Sequence, residues 1–287
     1  MSNISSSAFA DTKAHYDLLD GLRGVAALMV IWYHVFEGYA FAGGGNIETL
    51  NHGYLAVDFF FILSGFVIGY AYDDRWGKSL TMKDFFKRRL IRLHPMVVMG
   101  AVLGAITFCI QGCVQWDGTH VAISMIMLSL LCTIFFIPAM PGVGYEVRGN
   151  GEMFPLNGPC WSLFFEYIGN ILYALFVRKF NKVALSVLVF VAGCFTVYRC
   201  LTAPAGDIVG GWALNWEQQY VGMVRLMYPF FGGLLLSRLG WLIRLEKRAF
   251  WWCSLLIVVV LSIPRIGGED GLSLIHISEP TRLLSIS

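Results

Sequence analysis

The stretch GLRGVAALMVIWYH, residues 21–34, decides the fold class because it is far more apolar than a soluble surface allows. It nevertheless carries a cation, Arg23, near its start and an imidazole, His34, well inside it. Both side chains are costly in lipid, where ionisable groups usually mark a functional site. The stretch therefore predicts a membrane-spanning helix with two ionisable side chains that have a functional role.

The composition of the whole chain extends this prediction. The 287 residues are 57% hydrophobic and 14% charged, whereas soluble domains are about 25% charged. A helical span needs about 20 apolar residues, and the candidates are 21–40, 53–72, 96–113, 120–138, 160–177, 183–199, 219–237 and 249–263. We expect an all-α, polytopic helical bundle in the lipid bilayer with seven to eight spans. The net charge of +2 is too small to indicate binding of nucleic acid.

Basic residues predict the orientation, because loops rich in Lys and Arg stay in the cytoplasm. Seven lie in 73–95, three in 178–182 and four in 238–248, whereas 41–52 and 200–218 contain none. The basic loops and the N-terminus should therefore be cytoplasmic. Three candidate spans separate the first two basic loops, although an even number is required. We expect that 120–138 is re-entrant or lies along the interface.

The two ends of the chain differ from the middle. Residues 1–16 form a polar tail, and 17–271 form the predicted membrane domain. The final LSLIHISEPTRLLSIS, residues 272–287, has neither a helical nor a strand period. It resembles translated adapter sequence, so we expect a non-native tail and a natural protein with further spans. The seven cysteines lie mostly in apolar runs, which is typical of small buried side chains.

Arg23 and His34 are eleven residues apart on the first predicted span. Helical geometry puts them within about 20° on one face and about 16 Å apart along the axis. Two interpretations remain open. Arg23 and His34 are either two functional groups along one path through the membrane, or a snorkelling arginine and a structural histidine. His34 is the only histidine well inside a predicted span, which favours the functional interpretation.

Two carboxylates are also predicted to lie in the membrane. Asp58 falls near the outer end of the second span, at a depth similar to that of His34. A carboxylate there could orient the imidazole and raise its basicity, or pair structurally. Glu166 lies inside 160–177 and carries the same two alternatives. Ser64 and Gly65, in LSGF, are small enough to permit close helix contact.

The segment KDFFKRRLIRLHP, residues 83–95, predicts a short basic amphipathic helix that ends at Pro95. Its apolar stripe is Phe86, Leu90 and Leu93, and its cationic face is Arg88, Arg89 and Arg92. The segment is either an anchor on anionic lipid or a phosphate clamp of guanidinium groups. No GxSxG, Walker A, HExxH or GxGxxG motif occurs, so serine hydrolase, NTPase and zincin chemistry have no support in the sequence.

Four stretches in order resemble the membrane acyltransferase-3 family: LDGLRGVAALMVIWYH, GYLAVDFFFILSGFVI, FFKRRLIRLHP and WSLFFE. The resemblance implies a helical fold of about ten spans that O-acylates sugars and related hydroxyl compounds. It places the essential arginine and histidine of the family on Arg23 and His34. The Arg-rich motif of the family falls on Arg88, Arg89 and Arg92, and its Trp-Ser-Leu…Glu motif falls on Trp161, Ser162 and Glu166. Two departures are the early end of the chain and the absence of Gln-Phe-Tyr after the glutamate.

The resemblance implies acyl-CoA, in particular acetyl-CoA, as the co-substrate and a carbohydrate or other hydroxyl compound as the acceptor. We expect an enzyme of the inner (plasma) membrane, with the arginines holding the donor phosphates and His34 acting as the general base. Asp58 or Glu166 would orient its imidazole. The alternatives are a transporter or flippase with Arg23, Asp58 and Glu166 along a polar path, and an inactive truncated fragment.

Overall fold

The computed structural model describes residues 16–40, 51–204, 206–240 and 248–263. These ranges contain no β-strand, and their eight α-helices are α1 Asp17–Tyr39, α2 Ala56–Tyr72, α3 Met82–Ile110, α4 Ile123–Ile134, α5 Cys160–Leu175, α6 Lys182–Thr202, α7 Trp216–Leu239 and α8 Ala249–Ser262. The all-α prediction is confirmed, with one helix at each predicted apolar stretch. The predicted tail 272–287 lies outside the described residues.

Five of these helices are long and apolar enough to cross a membrane: α1, α2 with the turn before it, α3, α6 and α7. The helices α4 and α8 are apolar but shorter, with 12 and 14 residues. The 16 residues of α5 extend about 24 Å. The protein is therefore a multi-pass helical membrane protein, with fewer full-length spans among the described residues than the seven to eight expected.

Helix α3 corrects the prediction that a separate basic helix ends at Pro95. The basic segment and the apolar span form one helix of 29 residues with Pro95 inside it. Its start is fixed by Thr81, whose side chain accepts a hydrogen bond from the backbone N–H of Asp84 at 3.2 Å. Leu93 and Val97 are both buried, so packing on each side of the proline holds one continuous helix.

The centre of the bundle is the crossing of α2 and α7, which make the most extensive contact among the described helices. Two glycines allow it. A Cβ on Gly65 would lie 1.8 Å from the carbonyl oxygen of Phe230, and one on Gly233 would lie 2.0 Å from that of Ile62. No larger side chain fits at either position. The expected close helix contact at Gly65 is thus confirmed.

The loops gather at two opposite ends of the bundle. At one end, the N–H of Trp116 donates to the carbonyl of Arg148 at 3.1 Å, and the N–H of Met153 donates to the carbonyl of Trp212 at 2.8 Å. These bonds join the loops before α4, after α4 and before α7. The loops that flank α4, a helix about 18 Å long, therefore meet at one end of the bundle, and a re-entrant α4 stays a prediction.

The other end is held together by Asp73, the residue after α2. Its carboxylate accepts hydrogen bonds from Nε of Arg238 at 2.6 Å and from the hydroxyl of Tyr173 at 2.8 Å. Trp76 donates to the same hydroxyl at 2.9 Å. The ends of α2, α5 and α7 therefore meet here, and the basic loops 73–81 and 176–181 lie at the same end.

Candidate functional site

Three residues from three helices form a buried polar group. Arg89 of α3 donates from Nη2 to Oε1 of Glu166 in α5 at 2.8 Å and to Oγ of Ser64 in α2 at 3.1 Å. The Ser64 hydroxyl donates to the same carboxylate oxygen at 2.5 Å. Only 2% of the Arg89 side chain is exposed. A buried charge is tolerated when it is paired and hydrogen-bonded, so these three predicted residues act as one unit.

Asp58 is paired with a cation rather than with His34. Nη2 of Arg225 in α7 lies 2.7 Å from Oδ2 of Asp58, and the same guanidinium donates to the carbonyls of Tyr54 and Gly210 at 2.8 and 3.1 Å. Glu166 is likewise occupied by an arginine. The expectation that either carboxylate orients the imidazole is therefore not met. Arg225 could have been found from the sequence, because it is an arginine in the middle of the predicted span 219–237.

Trp161, in the stretch WSLFFE, packs against the ion pair of Asp58 and Arg225. The ring of Trp161 lies 4.9 Å from Cζ of Arg225, which is a cation–π distance. Gly211 leaves space for that ring, since a Cβ there would lie 2.7 Å from it. The hydroxyl of Ser162 donates to the carbonyl of Pro159 at 2.9 Å. Trp161 and Ser162 therefore shape the start of α5.

The imidazole of His34 is bound by a carboxylate of its own helix. Its Nδ1 lies 2.8 Å from Oε2 of Glu37, one turn further on, and 54% of the His34 side chain is exposed. Side chains three residues apart are neighbours on a helix, so Glu37 could have been found from the sequence. With Nδ1 donating to the carboxylate, Nε2 is left to accept a proton.

The predicted cluster of three arginines is divided. Arg89 points into the bundle, whereas Arg92 is exposed and lies within electrostatic range of Arg23. Arg23 donates to Asp20 at 2.9 Å and is also within range of Glu166. Arg88 lies within range of Asp84 at the start of α3. The cationic pair that faces outward from the buried group is therefore Arg23 and Arg92.

Glu152, in the loop before α5, was not anticipated. Its carboxylate lies 3.1 Å from the position that a Cβ on Gly158 would take. Burial raises the pKa of Glu152, and nearby Arg148 partly offsets this effect. Glu37 is close enough to raise the pKa further. The loop thus brings a second carboxylate toward the pair of His34 and Glu37.

A further correction concerns His94. It lies within α3, so His34 is not the only histidine inside a helix long enough to span the membrane. A helix end was expected at Pro95, so His94 fell outside the predicted span 96–113. Its Nδ1 is buried and has no hydrogen-bond partner among the described residues.

The family model of an acyltransferase domain, acyltransferase-3, matches residues 16–278. The chain belongs to the acyltransferase-3 family. This match confirms the resemblance read from the four motifs, and it covers all eight helices. The prediction of a membrane-embedded acyltransferase is confirmed at the level of family and fold. No solved structure matches the chain.

Several curated proteins are similar to this member of the family. Protein 2 in the picA locus of Rhizobium radiobacter is 35% identical over 164 residues, which are 55% of this chain and 80% of that protein. The peptidoglycan O-acetyltransferase OatA of Listeria monocytogenes is 38% identical over 94 residues, 32% of this chain and 14% of that protein. Acyltransferase MdmB of Streptomyces mycarofaciens is 29% identical over 175 residues, 58% of this chain and 40% of that protein. The matched part thus spans less than half of the last two.

Proposed function

We propose that this acyltransferase-3 protein moves a short acyl group, in particular acetyl, from acyl-CoA to a hydroxyl of a glycan or related compound. The observation that carries the proposal is the placement of Arg23 and of the His34–Glu37 pair on one helix, α1. A cation and a base about 16 Å apart suit a donor whose charged and reacting ends are separated by a long arm. The name of OatA supports a glycan acceptor for that relative.

The donor end of the site is the cationic pair of Arg23 and Arg92. Two guanidinium groups held within range of one another repel, and an anion bound between them relieves the repulsion. Guanidinium groups bind phosphate oxygens in bidentate fashion, so the phosphates of acyl-CoA fit this position. Arg23 lies about 9 Å from the start of α1, which is the end where the basic loops gather.

His34 acts as the general base in this proposal. Its Nδ1–H donates to Glu37, and its Nε2 takes the proton of the acceptor hydroxyl as the oxygen attacks the thioester carbon. The carbon–sulfur bond then breaks, and the proton passes from Nε2 to the leaving CoA sulfur. An acyl ester and free CoA are the products. Glu37 stabilises the charged imidazolium that forms between the two steps.

Asp58 and Glu166 position helices in this scheme rather than touching the substrate. Each is occupied by an arginine from another helix, so neither is left to line a path for a transported polar molecule. The transporter alternative therefore loses two of its three predicted residues. We place the protein in the inner membrane with its N-terminus and basic loops in the cytoplasm, where acyl-CoA is available.

The test is transfer of label from acetyl-CoA to membrane glycan by membranes that contain the protein. We expect His34→Ala to lower transfer by about 10²–10⁴-fold, with normal membrane insertion. Glu37→Gln keeps the side-chain size but removes the charge, and should lower transfer about tenfold. His120→Ala is the matched control, because that imidazole lies in an exposed loop. Activity of His34→Ala within a few-fold of wild type would exclude the base assignment.

A further inference from the structure

Three buried polar atoms that have no hydrogen-bond partner among the described residues lie on Arg89 of the ion pair and on the two side chains that flank Phe136. They are Nε of Arg89, Nδ1 of His94 and the hydroxyl oxygen of Tyr167. Buried polar groups are nearly always hydrogen-bonded, because an unpaired one loses its water without compensation. Water or another molecule supplies the partners at such atoms.

Phe136 lies between two of these groups. Its ring centroid is 6.0 Å from that of His94 and 4.9 Å from that of Tyr167. Its backbone φ of 54° is in the left-handed region, which a bulky residue adopts at a cost. Backbone strain of this kind persists where the surroundings enforce it and clusters at ligand sites. The short helix α4 therefore ends by inserting an aromatic ring between α3 and α5.

The charges around these unpaired atoms indicate which kind of ligand fits there. Tyr167 lies within electrostatic range of both Arg89 and Glu166, and those two charges neutralise one another. A phosphate would need net positive charge, which Arg23 and Arg92 together with Asp20 retain elsewhere. The unpaired atoms here offer an N–H donor, a hydroxyl and a ring nitrogen, a set that can both donate and accept. A neutral amide, with its own N–H and carbonyl, fits such a set.

The position of His94 along α3 agrees with a neutral amide as the ligand. His94 follows Arg92 by two residues, about 3 Å further from the basic end of the bundle. Because the ring of Phe136 lies 6.0 Å from that of His94, a molecule whose phosphates bind Arg92 would need only a short arm to reach it. In acyl-CoA, the part between the phosphates and the thioester is a flexible, uncharged arm with two amide groups.

We propose that His94, Tyr167 and Nε of Arg89 bind the amide-bearing pantetheine arm of the donor, with Phe136 as the wall against which the arm packs. The inference rests on the proposed function, since it requires acyl-CoA as the donor. It assigns separate recognition to two parts of one molecule: arginines for the charged end and neutral polar groups for the middle.

The test measures binding rather than turnover, using purified full-length protein in detergent and calorimetry. The probes are pantetheine, which lacks the nucleotide phosphates, and adenosine 3′,5′-bisphosphate, which lacks the arm. We expect Tyr167→Phe and His94→Leu to weaken pantetheine about tenfold each and to change the bisphosphate less than twofold. Arg92→Lys should do the reverse. His94→Asn should restore part of the affinity, because its amide can replace Nδ1.

Two controls make each outcome decisive. Tyr228→Phe removes a hydroxyl from an exposed tyrosine of α7 and should leave both affinities unchanged. Unchanged bisphosphate binding also shows that each variant is folded. If the wild type binds CoA but Tyr167→Phe and His94→Leu bind pantetheine normally, the inference is wrong and the unpaired atoms are hydrated. If the wild type binds neither probe nor CoA, acyl-CoA is not the donor and the proposed function fails with it.

Discussion

At the scale of single residues, the buried carboxylates of α2 and α5 each have an arginine from a different helix. Asp58 pairs with Arg225, and Glu166 pairs with Arg89. Removing one partner of a buried pair leaves an uncompensated charge, which is far more costly than losing the pair altogether. These carboxylates therefore fix how the helices meet, and in the proposed function the exposed groups of α1 do the chemistry.

The donor phosphates are expected to depend on Arg92. Arg92→Lys keeps the charge but loses the planar fork that binds two phosphate oxygens. We expect the KM for acyl-CoA to rise roughly tenfold with kcat close to wild type, measured by steady-state transfer of label. Arg88→Lys is the comparison, because Arg88 lies beside Asp84 and should change KM less. An unchanged KM in Arg92→Lys and in Arg23→Lys would return these cations to a role as a lipid anchor.

Glu152 should make the stability of the protein depend on pH. Because burial raises its pKa, the folded protein binds this proton more tightly than the unfolded chain does. Stability therefore falls as the pH rises from the ordinary value of 4.5 through the folded-state pKa. Glu152→Gln removes this loss.

Thermal unfolding in detergent from acidic to neutral pH measures the effect. The two proteins should unfold at similar temperatures at the acidic end, and the variant should be the more stable at neutral pH. Glu217→Gln removes the same charge from an exposed side chain and serves as the control. A wild type that gains stability relative to Glu152→Gln as the pH rises would contradict the assignment.

The sequence predicts a contact in the site when the two residues are close together in the chain, and it misses a contact between distant residues. The shared face of Arg23 and His34 follows from helical period alone, and Glu37 is only three residues from His34. The partner of Asp58 is 167 residues away, and no local pattern links the two. The positions of the helices could be predicted from the lengths of the apolar stretches. The contacts between helices are visible only in the packed bundle.

At the scale of helices, the sequence located all eight apolar stretches because lipid demands continuous apolar length. It misjudged α3 because a proline was taken as a helix end. Pro95 removes a single backbone donor, and the side chains packed on either side of it keep the helix whole. Because Pro95 lies inside α3, His94 also lies in a helix long enough to span the membrane.

The crossing of α2 and α7 should not accept a methyl group. Gly65→Ala would place a Cβ 1.8 Å from the carbonyl oxygen of Phe230, so the two helices must move apart. We expect a lower unfolding temperature and less folded protein, measured by fluorescence-detected size exclusion in detergent. Gly24→Ala is the matched control, because nothing lies within 4 Å of its Cβ position.

The control should be neutral or stabilising, since alanine favours a helix over glycine by about 0.5–1 kcal/mol. If Gly65→Ala is as stable as Gly24→Ala, the close approach of α2 and α7 is not required for folding. Gly233→Ala tests the same crossing from the other helix and should behave like Gly65→Ala.

At the scale of the whole molecule, the ends of the bundle differ in charge. The end closed by Asp73 and Arg238 carries the basic loops, and the other end holds the loops on either side of α4. If α4 returns to its own side, it adds no crossing, and the parity conflict in the sequence disappears. We expect every basic loop to face the cytoplasm in that arrangement.

Labelling of intact cells with a membrane-impermeant maleimide tests this topology. In single-cysteine proteins, we expect labelling of Cys113, before α4, and of Met140→Cys, after α4, because both loops face outward. Ser79→Cys lies in the basic loop after α2 and should react only after the cells are opened. A full crossing by α4 would put positions 113 and 140 on opposite sides, so labelling of only one of the two would contradict the re-entrant arrangement.

The ion pair of Asp58 and Arg225 also has a consequence for how the protein is made. Ribosomes add about 5–20 residues per second, so the 167 residues between the partners take roughly 8–33 s to synthesise. Throughout that interval α2 is present without its cation, and an isolated carboxylate in lipid takes up a proton rather than remain charged. The crossing of α2 and α7 is therefore completed only after α7 is made, when Arg225 replaces that proton as the partner of Asp58.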